Sequence, residues 1–344
     1  MCSICEIETH QDSRGTIRVF ELTHASGCKA VLSNYGCVLM KLLVQDKTSM
    51  YRDVVLGFDS ITSYWQNDYL KGYPYFGTVL GRYANRIKGA SFIYEGKKYN
   101  LTANKDGNTL HGGAQGFDQK VWEVVAIKNE ADPSITFQYV SPAGEEGFPG
   151  KITVQFTATL SSNAFTYQLT ATTDAPSPVN LSYHPYFNLD GYTAAIGQQQ
   201  AIIHASHWLE QDEDFCLTGR FLPTASSHYD FGTWKPICQS WNQQDGYDQS
   251  FVVDQNGKTS TIVAEAISSD KNLHLKVIST EPVVHFYTGK WIPAVVGKNG
   301  VCYKPFSGFC FETHQFPNAI NIVSFPSTIL LPHQEIMHRT TYQF

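Results

Sequence analysis

The stretch Ile152-Thr153-Val154-Gln155-Phe156-Thr157-Ala158-Thr159-Leu160 alternates apolar and polar side chains at every position. Successive side chains of a β-strand point to opposite faces, so a period of two predicts a strand with one buried face. Residues 165–172 repeat the pattern a few positions later. This part of the chain therefore predicts sheet and not helix.

Similar apolar runs recur from one end of the chain to the other, at residues 16–22, 30–43, 122–127, 134–140, 261–266, 273–278, 283–287 and 308–311. Gly- and Pro-containing clusters such as residues 95–97 and 142–144 separate them, as turns do. Only residues 60–69 suggest a helix, with Ser60 as its candidate cap. The pattern predicts an all-β fold, an antiparallel sandwich or a barrel-like structure. No linker or repeat divides the chain, so one domain over residues 1–344 is expected.

The composition narrows the possible partners. The chain has 344 residues, 42% of them hydrophobic, and a formal net charge of -6. This charge, without any Lys/Arg-rich run, argues against nucleic acid or an anionic membrane as partner. The N-terminus lacks the basic and apolar regions of a secretory signal, and no apolar stretch is long enough to span a bilayer. A cytoplasmic protein is expected.

Metal ligands are present but poorly spaced. Eight cysteines are scattered along the chain, which in the cytoplasm predicts free thiols. Cys2 and Cys5 form a single CxxC without a second pair, and His204 and His207 have no matching carboxylate in sequence. The sequence predicts no metal site and no cofactor.

A carboxylate stands at an unusual place near the C-terminus. In residues 307–317 (SGFCFETHQFP), Glu312 follows a Phe-Cys-Phe run on an expected strand. A buried, unpaired carboxylate is costly, so such a group pairs, takes up a proton or lies in a polar cleft. Glu312 is thus a candidate general base with a tuned pKa. The alternative is a Glu on the wet face of the strand.

A histidine framed by aromatic residues is the second candidate. His184 lies in residues 180–189 (NLSYHPYFNL), beside Tyr186 and two Asn residues. Aromatic rings pack on the C–H faces of a sugar and amides bind its hydroxyls, so the segment suits a sugar pocket. It suits equally a core histidine bonded to a backbone carbonyl.

Three further segments carry polar groups that could bind a ligand. Residues 81–87 (GRYANRI) contain Arg82, Asn85 and Arg86, whose guanidinium groups could hold hydroxyls or a carboxylate or could form a surface pair. His111 precedes two glycines, which allow a close approach of the backbone to a ligand. Asp248 could accept bonds from ligand hydroxyls or could cap a turn after residues 245–246.

Taken together, these segments resemble the aldose 1-epimerase (galactose mutarotase) family along nearly the whole chain. The stretches that carry the resemblance are 34–36 (NYG), 54–58 (VVLGF), 81–87 (GRYANRI), 110–113 (LHGG), 141–150 (SPAGEEGFPG), 180–189 (NLSYHPYFNL), 247–248 (YD), 286–289 (FYTG), 308–317 (GFCFETHQFP) and 338–342 (HRTTY). The resemblance implies a large β-sandwich of antiparallel sheets with few short helices. It implies Glu312 as catalytic base and His184 as catalytic acid. The implied sugar-contacting residues are Asn85, Arg86, His111, Tyr186, Asp248 and His285.

The sequence departs from the usual family pattern at positions near the expected site. His285 and His314 stand where the pattern has Gln, and Gln249-Ser250 replaces the more common His-Asn. The position of His285 is expected to touch the sugar, so this change bears on which sugar is preferred. Neither the expected base nor the expected acid is altered.

The resemblance implies an isomerase that interconverts the α and β anomers of free hexoses such as galactose and glucose. Its partner would be a small-molecule aldose, and the protein would be a monomer or a homodimer. The alternatives are a mutarotase-like enzyme for a phosphorylated or acidic sugar, a non-catalytic sugar-binding module, and a glycoside hydrolase with Glu312 and Asp248 as its carboxylate pair.

Overall fold

The computed structural model describes residues 2–239, 241, 246–255 and 257–344 of the chain. Its strands, in chain order, are β1 (Ser3–Asp12), β2 (Gly15–Thr23), β3 (Lys29–Ser33), β4 (Leu39–Gln45), β5 (Tyr51–Asp53), β6 (Val79–Leu80), β7 (Arg86–Ile87), β8 (Ser91–Tyr94), β9 (Lys97–Asn100), β10 (Thr109–Leu110), β11 (Glu123–Lys128), β12 (Ser134–Ser141), β13 (Ile152–Leu160), β14 (Ala164–Thr173), β15 (Ser177–Pro178), β16 (Ser182–Tyr183), β17 (Gln200–Ile203), β18 (His207–Gln211), β19 (Leu217–Pro223), β20 (Lys235–Pro236), β21 (Asp248–Val252), β22 (Thr261–Ile267), β23 (His274–Ser279), β24 (Val283–Tyr287), β25 (Val295–Val296), β26 (Cys302–Tyr303), β27 (Cys310–His314), β28 (Ile329–Leu330) and β29 (Glu335–Gln343). Among the described residues, helical structure is limited to α1 (Asn67–Leu70) and to 3₁₀ turns at Ile61–Trp65, Lys88–Ala90, Phe117–Gln119, Glu145–Gly147, Ile196–Gln198, Lys298–Gly300 and Ala319–Asn321.

Three large sheets make up the architecture. The largest has nine strands in the order β11-β12-β13-β14-β29-β23-β22-β17-β20. A five-stranded sheet contains β1 to β5 in sequence order, and a second one has the order β19-β18-β21-β24-β27. Every ladder between named strands of the described residues is antiparallel. The predicted all-β class, a large antiparallel sandwich with few short helices, is confirmed.

Residues 152–160 form β13, the third strand from one edge of the nine-stranded sheet. Strand β13 pairs with β14 in a register that places Phe156 opposite Leu169. Val154, Phe156 and Ala158 are fully buried in the main hydrophobic core, whereas the side chains between them are partly or fully exposed. The alternation of the sequence is therefore the alternation of the sheet's two faces.

Two segments have more local structure than their sequence pattern indicates. Residues 60–69 form two short helical pieces, and Ser60 caps the first by accepting a hydrogen bond from the Thr62 N–H at 3.3 Å. Residues 30–43 divide between β3 and β4 because Gly36 and Cys37 turn the chain with positive φ angles. A run of apolar residues does not reveal such a turn, since both strands and their connection are buried.

Strand β27 gives the second five-stranded sheet two chemically different faces. All five of its residues are buried. Phe311 points into the main core, where its ring lies 5.0 Å from that of Phe286. Since neighbours on a strand alternate, Cys310, Glu312 and His314 share the opposite face. Glu312 is only 2% exposed, so the wet-face interpretation of this residue is wrong.

No helix in the described part of the chain has the length and apolar character needed to cross a membrane. The assignment of residues 1–344 to one domain stays a prediction.

A buried ion pair provides a test of the fold. Lys298 Nζ donates to Asp53 Oδ2 at 2.7 Å and to the Val55 carbonyl at 2.8 Å, and Lys298 is only 2% exposed. Lys298→Met leaves the Asp53 carboxylate buried without its cation, so we expect the free energy of unfolding to fall by about 3–5 kcal/mol. Denaturant unfolding measures this, with Lys128→Met at an exposed position as control. Equal stability of the two variants would contradict the expectation.

Candidate active site

Glu312 and His184 face each other inside the protein. Glu312 Oε1 lies 3.4 Å from His184 Nε2, and the side chains are 2% and 4% exposed. Glu312 Oε2 is buried and has no hydrogen-bond partner among the described residues. Burial raises the pKa of Glu312 to about 7, although the nearby charge of His285 opposes the shift. The carboxyl group can therefore gain or lose a proton near neutral pH.

Backbone hydrogen bonds and ring stacking hold His184 in place. Its N–H donates to the Thr78 carbonyl at 2.9 Å, and its own carbonyl accepts from Gly77 at 3.0 Å. The imidazole stacks on Tyr186 with ring centroids 4.9 Å apart, and Tyr75 stacks at 6.2 Å. These contacts fix the plane of the ring. Each nitrogen forms its hydrogen bonds in that plane, so the directions of those bonds are fixed as well. Burial lowers the pKa of His184 to about 3.

Cys310 contacts the other side of the same imidazole. Its Sγ lies 3.3 Å from His184 Nδ1. Burial raises the pKa of this thiol well above its ordinary value, so the group stays protonated and can donate to Nδ1. The neutral imidazole then carries its proton on Nε2, toward Glu312.

His285 occupies the cross-strand position beside Glu312. The registers place His285 opposite Glu312 on β27 and opposite Ser250 on β21. Its Nε2 lies 2.8 Å from Asp248 Oδ1, and its Nδ1 lies 2.9 Å from Ser250 Oγ. Burial alone would lower the pKa of His285, but the hydrogen bond and charge of Asp248 outweigh it and raise this pKa. Asp248, one of the expected sugar-contacting residues, thus has His285 as a direct partner.

Asn85, Arg86 and His111 come together where β7 pairs with β10. The Asn85 N–H donates to His111 Nδ1 at 3.2 Å, so the neutral imidazole carries its proton on Nε2. Burial lowers the pKa of His111 well below its ordinary value and keeps the ring neutral. The His111 ring lies 5.7 Å from that of His184. The Arg86 guanidinium packs over Phe215 at 5.2 Å and has no ion-pair partner among the described residues.

Arg82 does not belong to the site. It is 2% exposed, and its guanidinium donates to the carbonyls of Pro142, Pro149 and Gly150, each at 2.9 Å. Both interpretations offered by the sequence, a ligand-binding residue and a surface pair with Arg86, are wrong for Arg82. Its guanidinium therefore supplies hydrogen bonds to backbone carbonyls of the surrounding loops.

The structure brings all eight predicted site residues into one region, and the roles assigned to them stay predictions. Tyr186 is 1% exposed, and its ring supports His184 from behind. His314, noted only as a departure, is fully buried on the same face as Glu312, and its ring lies 6.2 Å from that of His285.

Sequence reasoning missed two residues, Tyr75 and Cys310. Tyr75 contacts both His111 and His184 through its ring. Its signal was the aromatic run around Pro74 (residues 73–76, YPYF). The signal for Cys310 was strand alternation, which puts it on the face of Glu312.

A cavity on the protein surface lies away from the candidate site. A surface cavity of about 740 Å³ is lined by residues such as His204, Thr224 and Glu265 and contains none of the predicted site residues. His204 Nε2 lies 3.0 Å from Glu265 there. The eight cysteines are free thiols.

A buried carboxylate paired with a buried imidazole, inside an antiparallel β-sandwich, defines an enzyme of the acid–base type. Residues 18–343 match the family described as Aldose 1-epimerase. The chain belongs to the aldose 1-epimerase family. The predicted family and isomerase class are confirmed.

Individual relatives agree with this assignment. The chain is 35% identical over 336 residues to galactose mutarotase of Homo sapiens, with 96% of this chain and 94% of that protein covered. It is 30% identical over 337 residues to aldose 1-epimerase of Escherichia coli (strain K12), with 95% of each covered. The structure resembles that of the GalM/aldose epimerase homologue from C. elegans with a TM-score of 0.85 and 26% identity, covering 100% of this chain and 98% of that one.

Proposed function

We propose that this protein interconverts the α and β anomers of a free hexose such as galactose or glucose, with Glu312 as base and His184 as acid. The observation that carries the proposal is the 3.4 Å contact between Glu312 Oε1 and His184 Nε2 inside the protein. The anomeric hydroxyl and the ring oxygen are bonded to the same carbon, C1. Two groups this close together can therefore address both oxygens of one sugar.

The reaction breaks and re-forms one bond. Glu312 takes the proton from the C1 hydroxyl while His184 donates a proton to the ring oxygen O5, and the C1–O5 bond breaks to give the open-chain aldehyde. Rotation about C1–C2 presents the other face of the carbonyl to O5. The O5 hydroxyl then attacks C1, His184 takes back the O5 proton, and Glu312 returns its proton to the carbonyl oxygen. No group is oxidised, reduced or transferred.

The proton inventory of the pair predicts a pH profile. Between the pKa values of about 3 for His184 and about 7 for Glu312, the pair holds one proton. The reactive form holds that same proton on His184, with Glu312 ionised. We therefore expect kcat/KM to be level between about pH 5 and 7 and to fall as the pH rises above about 7, where the pair loses its proton. The measurement is the enzymatic mutarotation rate against pH, corrected for the uncatalysed rate in each buffer. A kcat/KM that rises through pH 7 and then stays high would remove His184 from the role of acid.

The surrounding groups support a neutral sugar. Arg86 and the Nε2–H of His111 would donate hydrogen bonds to sugar oxygens, and Asn85 positions His111 through its backbone N–H. The charge of His285 is balanced by Asp248. An acidic or phosphorylated sugar would need cationic groups, and Arg82, Arg86 and His285 were the predicted ones. Arg82 is bound to carbonyls outside the site and His285 is paired with Asp248. Arg86 alone of these three is left to bind an anionic group.

Polarimetry of freshly dissolved α-anomers tests the function and the sugar preference together. The panel is glucose, galactose, xylose, arabinose and a hexose 6-phosphate. We expect the neutral hexoses to be converted fastest. Inactivity on the whole panel would contradict the proposal and favour a binding module, whereas preference for the phosphate would favour the modified-sugar alternative.

The cytoplasmic location and the monomeric or homodimeric state stay predictions, as does the absence of nucleic-acid and membrane partners.

A further inference from the structure

The candidate active site combines three side chains that bind zinc elsewhere in proteins. One ligand atom each from His184, Cys310 and Glu312 lies within 4.8 Å of the others, and all three residues are buried. Thiolate, imidazole and carboxylate are the common ligands of Zn²⁺, at bond lengths near 2.0–2.3 Å. Ligand atoms of a tetrahedral site of that size are about 3.5 Å apart. Cys310 Sγ lies 3.3 Å from His184 Nδ1 and Glu312 Oε1 lies 3.4 Å from Nε2, so each group is at this spacing from a different nitrogen of the same ring.

The surroundings pre-organise these ligands. Cys310 and Glu312 lie two positions apart on the rigid strand β27, so they share one face. Tyr186 stacks on the imidazole and keeps its edge directed at the other two groups. The cation needs only one of the two ring nitrogens, so the group that contacts the other nitrogen must move closer to it when the cation binds. Glu312 Oε2, which is buried and has no hydrogen-bond partner within the described ranges, offers a further oxygen.

We propose that His184, Cys310 and Glu312 form an inhibitory Zn²⁺ site that competes with the sugar. Three protein ligands leave a fourth position open, as in zinc sites that exchange a water or a small ligand. The ion displaces the thiol proton of Cys310 and any proton on Glu312, so metal binding releases protons and weakens as the pH falls. With the metal bound, neither Glu312 nor His184 can exchange a proton with a sugar. Bound metal therefore inhibits the reaction, and this inhibition rests on the proposed function. The binding of the metal itself does not depend on that reaction.

Co²⁺ tests the site directly, because a thiolate bound to Co²⁺ gives a charge-transfer band in the near ultraviolet. We expect one equivalent of Co²⁺ to produce this band in the full chain and Zn²⁺ to bleach it by displacement. Cys310→Ala removes the thiolate, and we expect it to abolish the band. Cys5→Ser, at an exposed free thiol, is the matched control and should retain the band. Glu312→Gln should retain the thiolate and weaken the affinity at least about tenfold.

Inhibition is measured on the same variants as the ratio of the rates with and without Zn²⁺. We expect Zn²⁺ to raise the apparent KM for galactose, and Cys310→Ala and Cys310→Ser to need at least about tenfold more Zn²⁺ for the same effect. Thermal unfolding verifies that the variants are folded, and the Ser variant replaces the Ala variant if the latter is not. Absence of the band, or equal Co²⁺ affinity in Cys310→Ala and Cys5→Ser, would overturn the metal site. A chain that binds Co²⁺ through Cys310 but mutarotates no sugar would instead contradict the proposed function.

Discussion

Replacement of Glu312 by Gln is expected to lower kcat by about 10²–10⁴-fold, the contribution typical of one general base. Gln keeps the size of the side chain but cannot take the proton of the C1 hydroxyl. Polarimetric relaxation of fresh α-D-galactose or α-D-glucose gives the rate. KM should change little, because the amide still accepts a hydrogen bond where the carboxylate did.

The fold should tolerate this change. Glu312 is buried, and its Oε2 has no hydrogen-bond partner in the described part of the chain, so a neutral amide removes the cost of an ionised group in that position. We therefore expect a melting temperature equal to or above that of the wild type. Glu335→Gln, at an exposed position, is the control for a Glu-to-Gln change as such. A Glu312→Gln enzyme with nearly wild-type kcat would show that the base lies elsewhere.

Replacement of His184 by Asn is the second prediction with a large effect. Asn cannot hold the proton that O5 receives, so we expect kcat to fall by about 10²–10⁴-fold. The backbone bonds to Thr78 and Gly77 do not involve the side chain and should keep the segment in place. His333→Asn, at an exposed position, is the control. The mutarotation rate and the thermal unfolding of both variants are measured together.

The double variant separates a shared role from two independent ones. Groups that act as a unit are strongly non-additive, so Glu312→Gln combined with His184→Asn should lose little more than the worse single variant. Losses that multiply would mean that the two residues act in separate steps. A His184→Asn enzyme that keeps its kcat and loses only stability would assign the imidazole to the structure and not to the chemistry.

Much of the fold could be predicted because its signal is local. Residues 152–160 alternate with the period of a strand, and they form the strand expected there. Ser60 was identified as a cap, and its side chain does accept a hydrogen bond from Thr62. The turn inside residues 30–43 was missed, because buried residues on both sides of it look alike in sequence.

The candidate site was predicted through the family resemblance more than through physical reasoning on single residues. Arg82 and Arg86 lie four positions apart in one motif, and nothing local distinguishes them. The structure encloses Arg82 among carbonyl groups and leaves Arg86 without an ion-pair partner among the described residues. The partner of Asp248 could not be predicted from the sequence either, because its bond to His285 depends on the register between β21 and β24.

By itself the sequence determined the strands, the all-β class and the chemical groups available to the site, because side-chain alternation and residue chemistry are local properties. Only the tertiary structure decided that His184 meets Glu312 and Cys310, although 126 positions separate His184 from Cys310 along the chain. It also decided the protonation of the pair. The pKa values of Glu312 and His184 are set chiefly by burial, and burial results from contacts among segments that are distant in sequence.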